Sequence, residues 1–304
     1  MTHWKTTLSY DGTTFHGWQV QPHLATIQGT LAAALHQVTG ETILPQGSGR
    51  TDSGVHALAQ VTSFTTTGPI PAANLIRALN HALPPSIRIL TVEPVPATFH
   101  ARHSARGKTY EYRIFQRRPN LIPTAPPTSE ITPDLICSPF LAPYVWNCHW
   151  PLNLEAMHQA AVLLLGTHNF TSFAASDPDL AQRAAHRATN NPVISTEAKR
   201  SGEPPVFEGV NPTSTPPNAP NPTKTLTQST LTLENNLLIY RITGSGFLHH
   251  MVRNIVGTLV EVGRGALTPS DIPRILAAKD RPTAGPTAPA TGLFLHTVHY
   301  TPNN

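Results

Sequence analysis

Proline sets the first boundary on what this chain can become. Of its 31 prolines, eight fall between Arg117 and Pro151 and seven between Glu203 and Thr223. Each proline fixes its own φ and removes a backbone donor, so neither stretch can run through a sheet or a helix interior. Regular structure is therefore expected on either side of them. Residues 117–151 read as a Pro-rich connecting loop. Residues 190–228, with Asn, Ser and Thr between the prolines, bury little apolar area and are expected as a mobile insertion.

The remaining sequence alternates between two periods. Trp4–Tyr10 reads as a strand that ends at the turn pair Asp11-Gly12. Thr26–Thr39 reads as a helix: Thr26 is placed to cap it, Ile27, Leu31, Leu35 and Val38 form one apolar stripe, and Gly40 stops it. Leu58–Thr65 and Ile87–Val95 are strand-like, with a helix over Pro71–Leu83 between them. The second half follows the same order. Lys108–Phe115 alternates, Tyr110, Tyr112 and Ile114 on one face and Thr109, Glu111 and Arg113 on the other. Leu154–Leu165 is a helix, Thr230–Thr243 a strand, Leu248–Val262 an apolar helix, Asp271–Lys279 a short helix and Gly292–Tyr300 a closing strand. This order predicts an α+β (mixed α/β) fold of two similar halves, 1–105 and 106–304, with mainly antiparallel sheets flanked by helices.

Hydrophobic residues make up 39%, enough for a sizeable core, while charged residues are only 12%. Lys and Arg outnumber Asp and Glu by 21 to 17. That balance permits an acidic partner without requiring one. The local pattern says more: Arg102, Arg106, Lys108, Arg113, Arg117 and Arg118 crowd one segment against Glu111 alone. They form either a track for a phosphate backbone or a solvated face. Cys137 and Cys148 cannot make a disulfide framework or a Cys-based zinc site. No apolar run approaches the roughly 18 residues of a membrane span, and Met1–Leu8 does not resemble a leader, so a reducing cytoplasm is expected.

The segment Gly47-Ser48-Gly49-Arg50-Thr51-Asp52-Ser53-Gly54-Val55-His56-Ala57 carries the most chemistry. Its glycines allow positive φ and close approach of a ligand. Arg50 and Asp52 are two residues apart, which in extended backbone puts both on one side. It lacks the Gly-Lys-Ser/Thr of a phosphate loop and the spacing of a nucleophile elbow. From residue types alone it is equally a surface turn with an incidental ion pair.

Taken with the rest of the chain, the segment Arg50–Ala57 resembles the signature loop of the TruA-type tRNA pseudouridine synthases. Tyr10-Asp11-Gly12, Phe15-His16-Gly17-Trp18-Gln19, Thr26-Ile27-Gln28-Gly29, Lys108-Thr109-Tyr110-Glu111-Tyr112, Gly166–Phe173, Phe247–Gly257, Ala277–Arg281 and Gly292-Leu293 resemble further blocks of that family in the same order. Ser53 stands where Ala is common, and the second Pro-rich stretch is longer than usual. The resemblance implies the pseudouridine synthase fold with an active-site cleft between its halves, and a homodimer that grips tRNA. It implies isomerisation of uridine to pseudouridine at positions 38, 39 and 40 of the anticodon stem-loop. Because bond breaking and rejoining occur within one substrate, no cofactor is implied. Asp52 corresponds to the nucleophile and Arg253 to its basic partner. Tyr110 corresponds to the residue that packs on the target uracil and assists at C5, and Arg50 to the residue that holds the space a flipped base vacates. His249 and His250 are candidate substrate contacts. They offer two metal donors with no third at good spacing, so no metal is expected. Two other classes stay open on the residues: a catalytically silent tRNA-binding chaperone, and a glycoside hydrolase that would need a second carboxylate, the next being Asp11.

Overall fold

The computed structural model describes residues 1–118, 135–175 and 221–301. Its strands are β1 (Thr2–Tyr10), β2 (Gln46–Gly47), β3 (His56–Thr66), β4 (Ile87–Pro94), β5 (Ala105–Gln116), β6 (Trp146–Cys148), β7 (Gly166–Asn169), β8 (Thr223–Glu234), β9 (Leu237–Gly244) and β10 (Leu293–Tyr300). All belong to one sheet, in the order β4-β1-β3-β10-β5-β9-β8-β7, with β2 on β3 and β6 on β5. The pairings β3–β10 and β5–β6 are parallel and the rest antiparallel. The fold is thus mixed α/β and mainly antiparallel, as expected. The strands of the two sequence halves join edge to edge, because β10 lies between β3 and β5.

Five α-helices occur among the described residues: α1 (Ile27–Thr39), α2 (Ala72–Ala82), α3 (Leu154–Val162), α4 (Met251–Gly263) and α5 (Asp271–Ala278). Thr26 caps α1 by accepting the Gly29 N–H, and Gly40 ends it at φ +73°, a conformation Gly adopts without Cβ strain. Leu31 and Leu35 of α1 and Leu75 and Leu79 of α2 are fully buried, in one core with Trp4, Leu8 and Tyr10 of β1. Helix α4 is buried on nearly every face and packs against α3, which in turn covers β8. Its burial explains why the sequence there is apolar all round instead of striped.

Three expectations change. The strand expected over Thr230–Thr243 is a hairpin, β8–β9, turning at Asn235 and Asn236 with φ +47° and +67°. Two successive positive φ values mark a turn type that Asn tolerates best after Gly. The helix expected from Leu248 starts at Met251, because His250 sits at φ +57° and halts it. Of the two Pro-rich stretches, 119–134 and 176–220 lie outside the described residues. Within the flanks that are described, Trp146–Cys148 pairs with β5 and Thr223–Gln228 opens β8.

Candidate active site

The loop that bears Asp52 is built from beneath by Phe15–Trp18. The Trp18 N–H donates to the Thr51 carbonyl (3.0 Å), Gly54 N–H donates to the Phe15 carbonyl (3.3 Å), and the Ser53 hydroxyl donates to the same carbonyl (3.2 Å). The next residues of this support start α1, where Ile27 N–H donates to Gly17 O and Gln28 N–H to Trp18 O. A Cβ on Gly17, which holds φ +81°, would stand 2.7 Å from the Thr51 carbonyl oxygen. Trp18 and Phe15 are buried, so this motif is the foundation of the loop and not an open cleft wall. Thr51 is buried too, its hydroxyl paired with that of Tyr10 at 2.9 Å. Burial pushes the Tyr10 phenol up to about 12, which keeps that pair neutral.

Only one of the three loop glycines uses positive φ, Gly54 at +76°. Gly47 is required because a side chain would strike the Trp18 indole, whereas a Cβ at Gly49 would meet the flexible end of Lys108, at 3.1 Å. Arg50 and Asp52, in a stretch without regular secondary structure, line the same cavity.

That cavity, about 220 Å³, also takes in Tyr110 of β5 and the segment Phe247–Arg253 that leads into α4. Arg253 Nη1 donates to Asp52 Oδ2 at 3.3 Å, while its Nε donates to the Ala288 carbonyl at 2.7 Å. The second bond fixes the guanidinium so that it meets the carboxylate from one side. His250 Nε2 is 3.3 Å from Asp52 Oδ2 and His249 Nε2 is 3.6 Å from Oδ1, the two imidazoles stacked at 3.9 Å. Burial lowers the His250 pKa against the upward pull of Asp52, and His249, Arg253 and Arg281 add to the lowering. Neutral imidazole is the favoured form there. Arg253 sets a permanent positive charge opposite Asp52.

Tyr110 is buried, with Phe247 edge-on against it at 4.9 Å. Burial first, then Tyr10 and Asp52, push its phenol above the ordinary value. The resting side chain is a neutral phenol, suited to packing; accepting a proton at C5 would require the phenolate, which these surroundings disfavour. Its strand neighbour Tyr112 is fully buried, with its hydroxyl on the Pro289 carbonyl.

All six expected site residues, Arg50, Asp52, Tyr110, His249, His250 and Arg253, line this one cavity. Lys108 and Arg102, expected only as members of a basic run, line it as well. Lys108 precedes Tyr110 by two residues on an alternating strand, and that spacing was the available signal. Burial, then Arg102 and Lys224, lower the Lys108 pKa. Reading the sequence left out the brace behind Arg253. Asn254, fully buried, donates to Phe173 O and accepts from Arg281 and Thr287, which ties the segment 281–288 to α4.

Two expectations are corrected here. The basic stretch 102–118 is not one track. Arg102 and Lys108 face the cavity, whereas Arg106 borders a separate hollow with Lys5 and Tyr300. Arg113 lies over the Phe294 ring and on Glu111, on the other side of the sheet. The second correction concerns metal donors. Asp52 supplies the third ligand that spacing did not reveal, since one donor atom each from Asp52, His249 and His250 lie within 4.8 Å of one another. The Arg253 guanidinium on the same carboxylate opposes a divalent cation there. As for a carboxylate pair, Asp52 is the one acid lining the cavity. Asp11 is engaged elsewhere by Tyr144, Thr13 and His56.

This sheet sets a carboxylate, held by an arginine, in a cavity whose other charged lining groups are basic. The sequence profile of the tRNA pseudouridine synthases matches residues 7–104 and 160–301, and the chain belongs to that family. It is 43% identical over 293 residues to tRNA pseudouridine synthase A of Solibacter usitatus, covering 96% of this chain and 97% of that protein. It is 40% identical over 298 residues to the protein of the same name from Moorella thermoacetica, covering 97% and 98%. With that of Lacticaseibacillus casei it shares 38% over 301 residues, covering 99% and 100%. Tyr110 falls between the two profile segments but within the span these relatives share.

Proposed function

We propose that the chain isomerises uridine to pseudouridine in tRNA, at positions 38, 39 and 40 of the anticodon stem-loop. The observation that carries this reading is the Asp52 carboxylate held by Arg253 in a cavity whose other charged lining groups are basic. An RNA strand is drawn to such a cavity by its phosphates. The target nucleotide leaves its stack, at a cost of a few kcal/mol, and Arg50 holds the vacated space. The uracil packs on the Tyr110–Phe247 wall beside Asp52.

Arg253 compensates the carboxylate charge and aims it, as a nucleophile or electrostatic stabiliser requires. The N1–C1′ bond breaks, the base turns while the cavity holds both fragments, and C5 bonds to C1′. The C5 proton leaves and a proton is gained at N1, so atoms balance with no second substrate. Three routes use the same carboxylate: addition to C1′, addition to uracil C6, and stabilisation of a glycal-type path. The same reading includes a homodimer with tRNA across both chains, working in the cytoplasm. No helix among the described residues is long and apolar enough to cross a membrane.

The test is Asp52→Asn. It removes the charge while keeping shape, and pseudouridine formation in a tRNA transcript should fall by about 10³-fold or more with binding retained. Undiminished conversion by this variant would remove Asp52 from the chemistry. Binding without conversion by the unaltered protein would favour the silent-chaperone reading.

A further inference from the structure

Arg253 meets Asp52 from a fixed direction because the Ala288 carbonyl holds its Nε at 2.7 Å. That carbonyl belongs to a stretch with little means of placing itself. Residues 284–289 form neither helix nor strand, and Pro286 and Pro289 offer no backbone donor. Helix α4 holds the stretch instead. Gly285 N–H donates to Thr258 Oγ1 at 2.9 Å, and Ala288 N–H donates to the Arg253 carbonyl at 3.1 Å.

Arg281 closes the arrangement from the other side. Its Nη1 donates to the Gly285 carbonyl at 2.9 Å and to the Ala284 carbonyl at 3.4 Å. Its Nη2 donates to Asn254 Oδ1 at 3.0 Å and to Thr287 Oγ1 at 3.2 Å. The Thr287 hydroxyl donates to the same Asn254 oxygen at 2.6 Å. Three of these acceptors stand just before Ala288 and the fourth just after Arg253, so the fork spans both ends of the Arg253–Ala288 bond. No carboxylate is bonded to Arg281 among the described residues. Its guanidinium therefore works through the fixed directions of its N–H groups and not as the partner of an acid.

Behind Asn254 the network continues. Its Nδ2 donates to the Phe173 carbonyl at 2.7 Å. Ser172, fully buried, donates to the Ile275 carbonyl at 2.6 Å and accepts from Asp280 N–H at 3.0 Å. The sequence blocks 166–173, 247–257 and 277–281 thus meet around Asn254 and Arg281, and the chemistry assigned above uses only the second of them.

We propose that Arg281 is a positioning residue for the reaction. With Asn254 it fixes the Ala288 carbonyl, that carbonyl aims Arg253, and Arg253 aims the Asp52 carboxylate. The inference rests on the reading above that Asp52 carries the chemistry. A side chain outside the cavity lining thereby sets the rate of the step inside it.

Arg281→Lys keeps the charge and loses the fork. Single-turnover pseudouridine formation and tRNA affinity are measured for it, for Arg253→Lys, which removes the Nε that Ala288 holds, and for the double variant. With Arg253 present, Arg281→Lys should slow conversion about tenfold to a hundredfold. It should change the Kd for tRNA by less than about twofold. With Lys at 253 it should slow conversion by less than about twofold, because the link it acts through is already gone. If Arg281→Lys does not fold, Thr287→Val removes one bond to Asn254 at an exposed position and should show the same dependence on Arg253. The inference is overturned by unchanged conversion, by equal losses in both backgrounds, or by a loss that falls on tRNA affinity instead. Should Asp52→Asn convert tRNA as fast as wild type, the parent reading fails and takes this one with it. With Asp52→Asn inactive, those results remove only the role of Arg281.

Discussion

Glu111 shows how one side chain holds two strands on the face of the sheet away from the cavity. It is 3% exposed and accepts from Arg113 Nε at 2.8 Å and Arg241 Nε at 2.9 Å. Burial alone would raise its pKa, but the two guanidinium groups win and hold it below 4.5. A depressed folded value means that the stabilisation is fully present above the unfolded value and is lost as pH falls through the folded one. Glu111→Gln should therefore be less stable at neutral pH by roughly 1–3 kcal/mol. It should also lose Tm less steeply than wild type from about pH 5 to about pH 3. Thermal melts across that window check both, and parallel curves would show that Glu111 does not carry the acid sensitivity.

At the scale of elements, the Phe15–Trp18 support and the Asp52 loop behave as one unit. Gly17→Ala would add backbone strain at φ +81° and a contact with the Thr51 carbonyl. Gly40→Ala, at φ +73° with nothing within 4 Å, adds strain alone. The second should cost roughly 1–2 kcal/mol and leave turnover intact. The first should cost more and lower turnover at least about tenfold, because it displaces the carboxylate. Urea midpoints and turnover of the two variants test this, and equal turnover would detach the support from the site. The pairing also shows what the sequence could tell. The helix from Thr26 to Gly40 was legible because cap, stripe and stop are all local. The Asp52 loop was legible as chemistry through its motif, but its foundation was not, since backbone bonds from Phe15 and Trp18 leave no mark on side-chain pattern. The hairpin had a local signal, Asn235-Asn236 between two runs of strand formers, which the reading of one continuous strand passed over. The single basic track over 102–118 was misjudged for a different reason: charge density along the chain does not record which way alternate side chains point.

For the molecule as a whole, the proposed function makes the basic residues at the cavity the source of its affinity for RNA. Binding of tRNA by the Asp52→Asn protein should weaken linearly in log Kd as log salt rises. Neutralising Arg102 or Lys108 should each lower that slope by about one and weaken binding to any tRNA alike. A slope unchanged by either substitution would place the phosphate contacts elsewhere. Asp52 and Arg253 are brought together across 201 residues of chain, and the strand that joins their two halves is β10, at Leu293–Tyr300. A polypeptide that stops short of Leu293 holds Asp52, Tyr110 and Arg253 yet lacks the strand between β3 and β5 that sets them side by side. Premature termination just upstream of Leu293 should thus yield a chain inert toward tRNA.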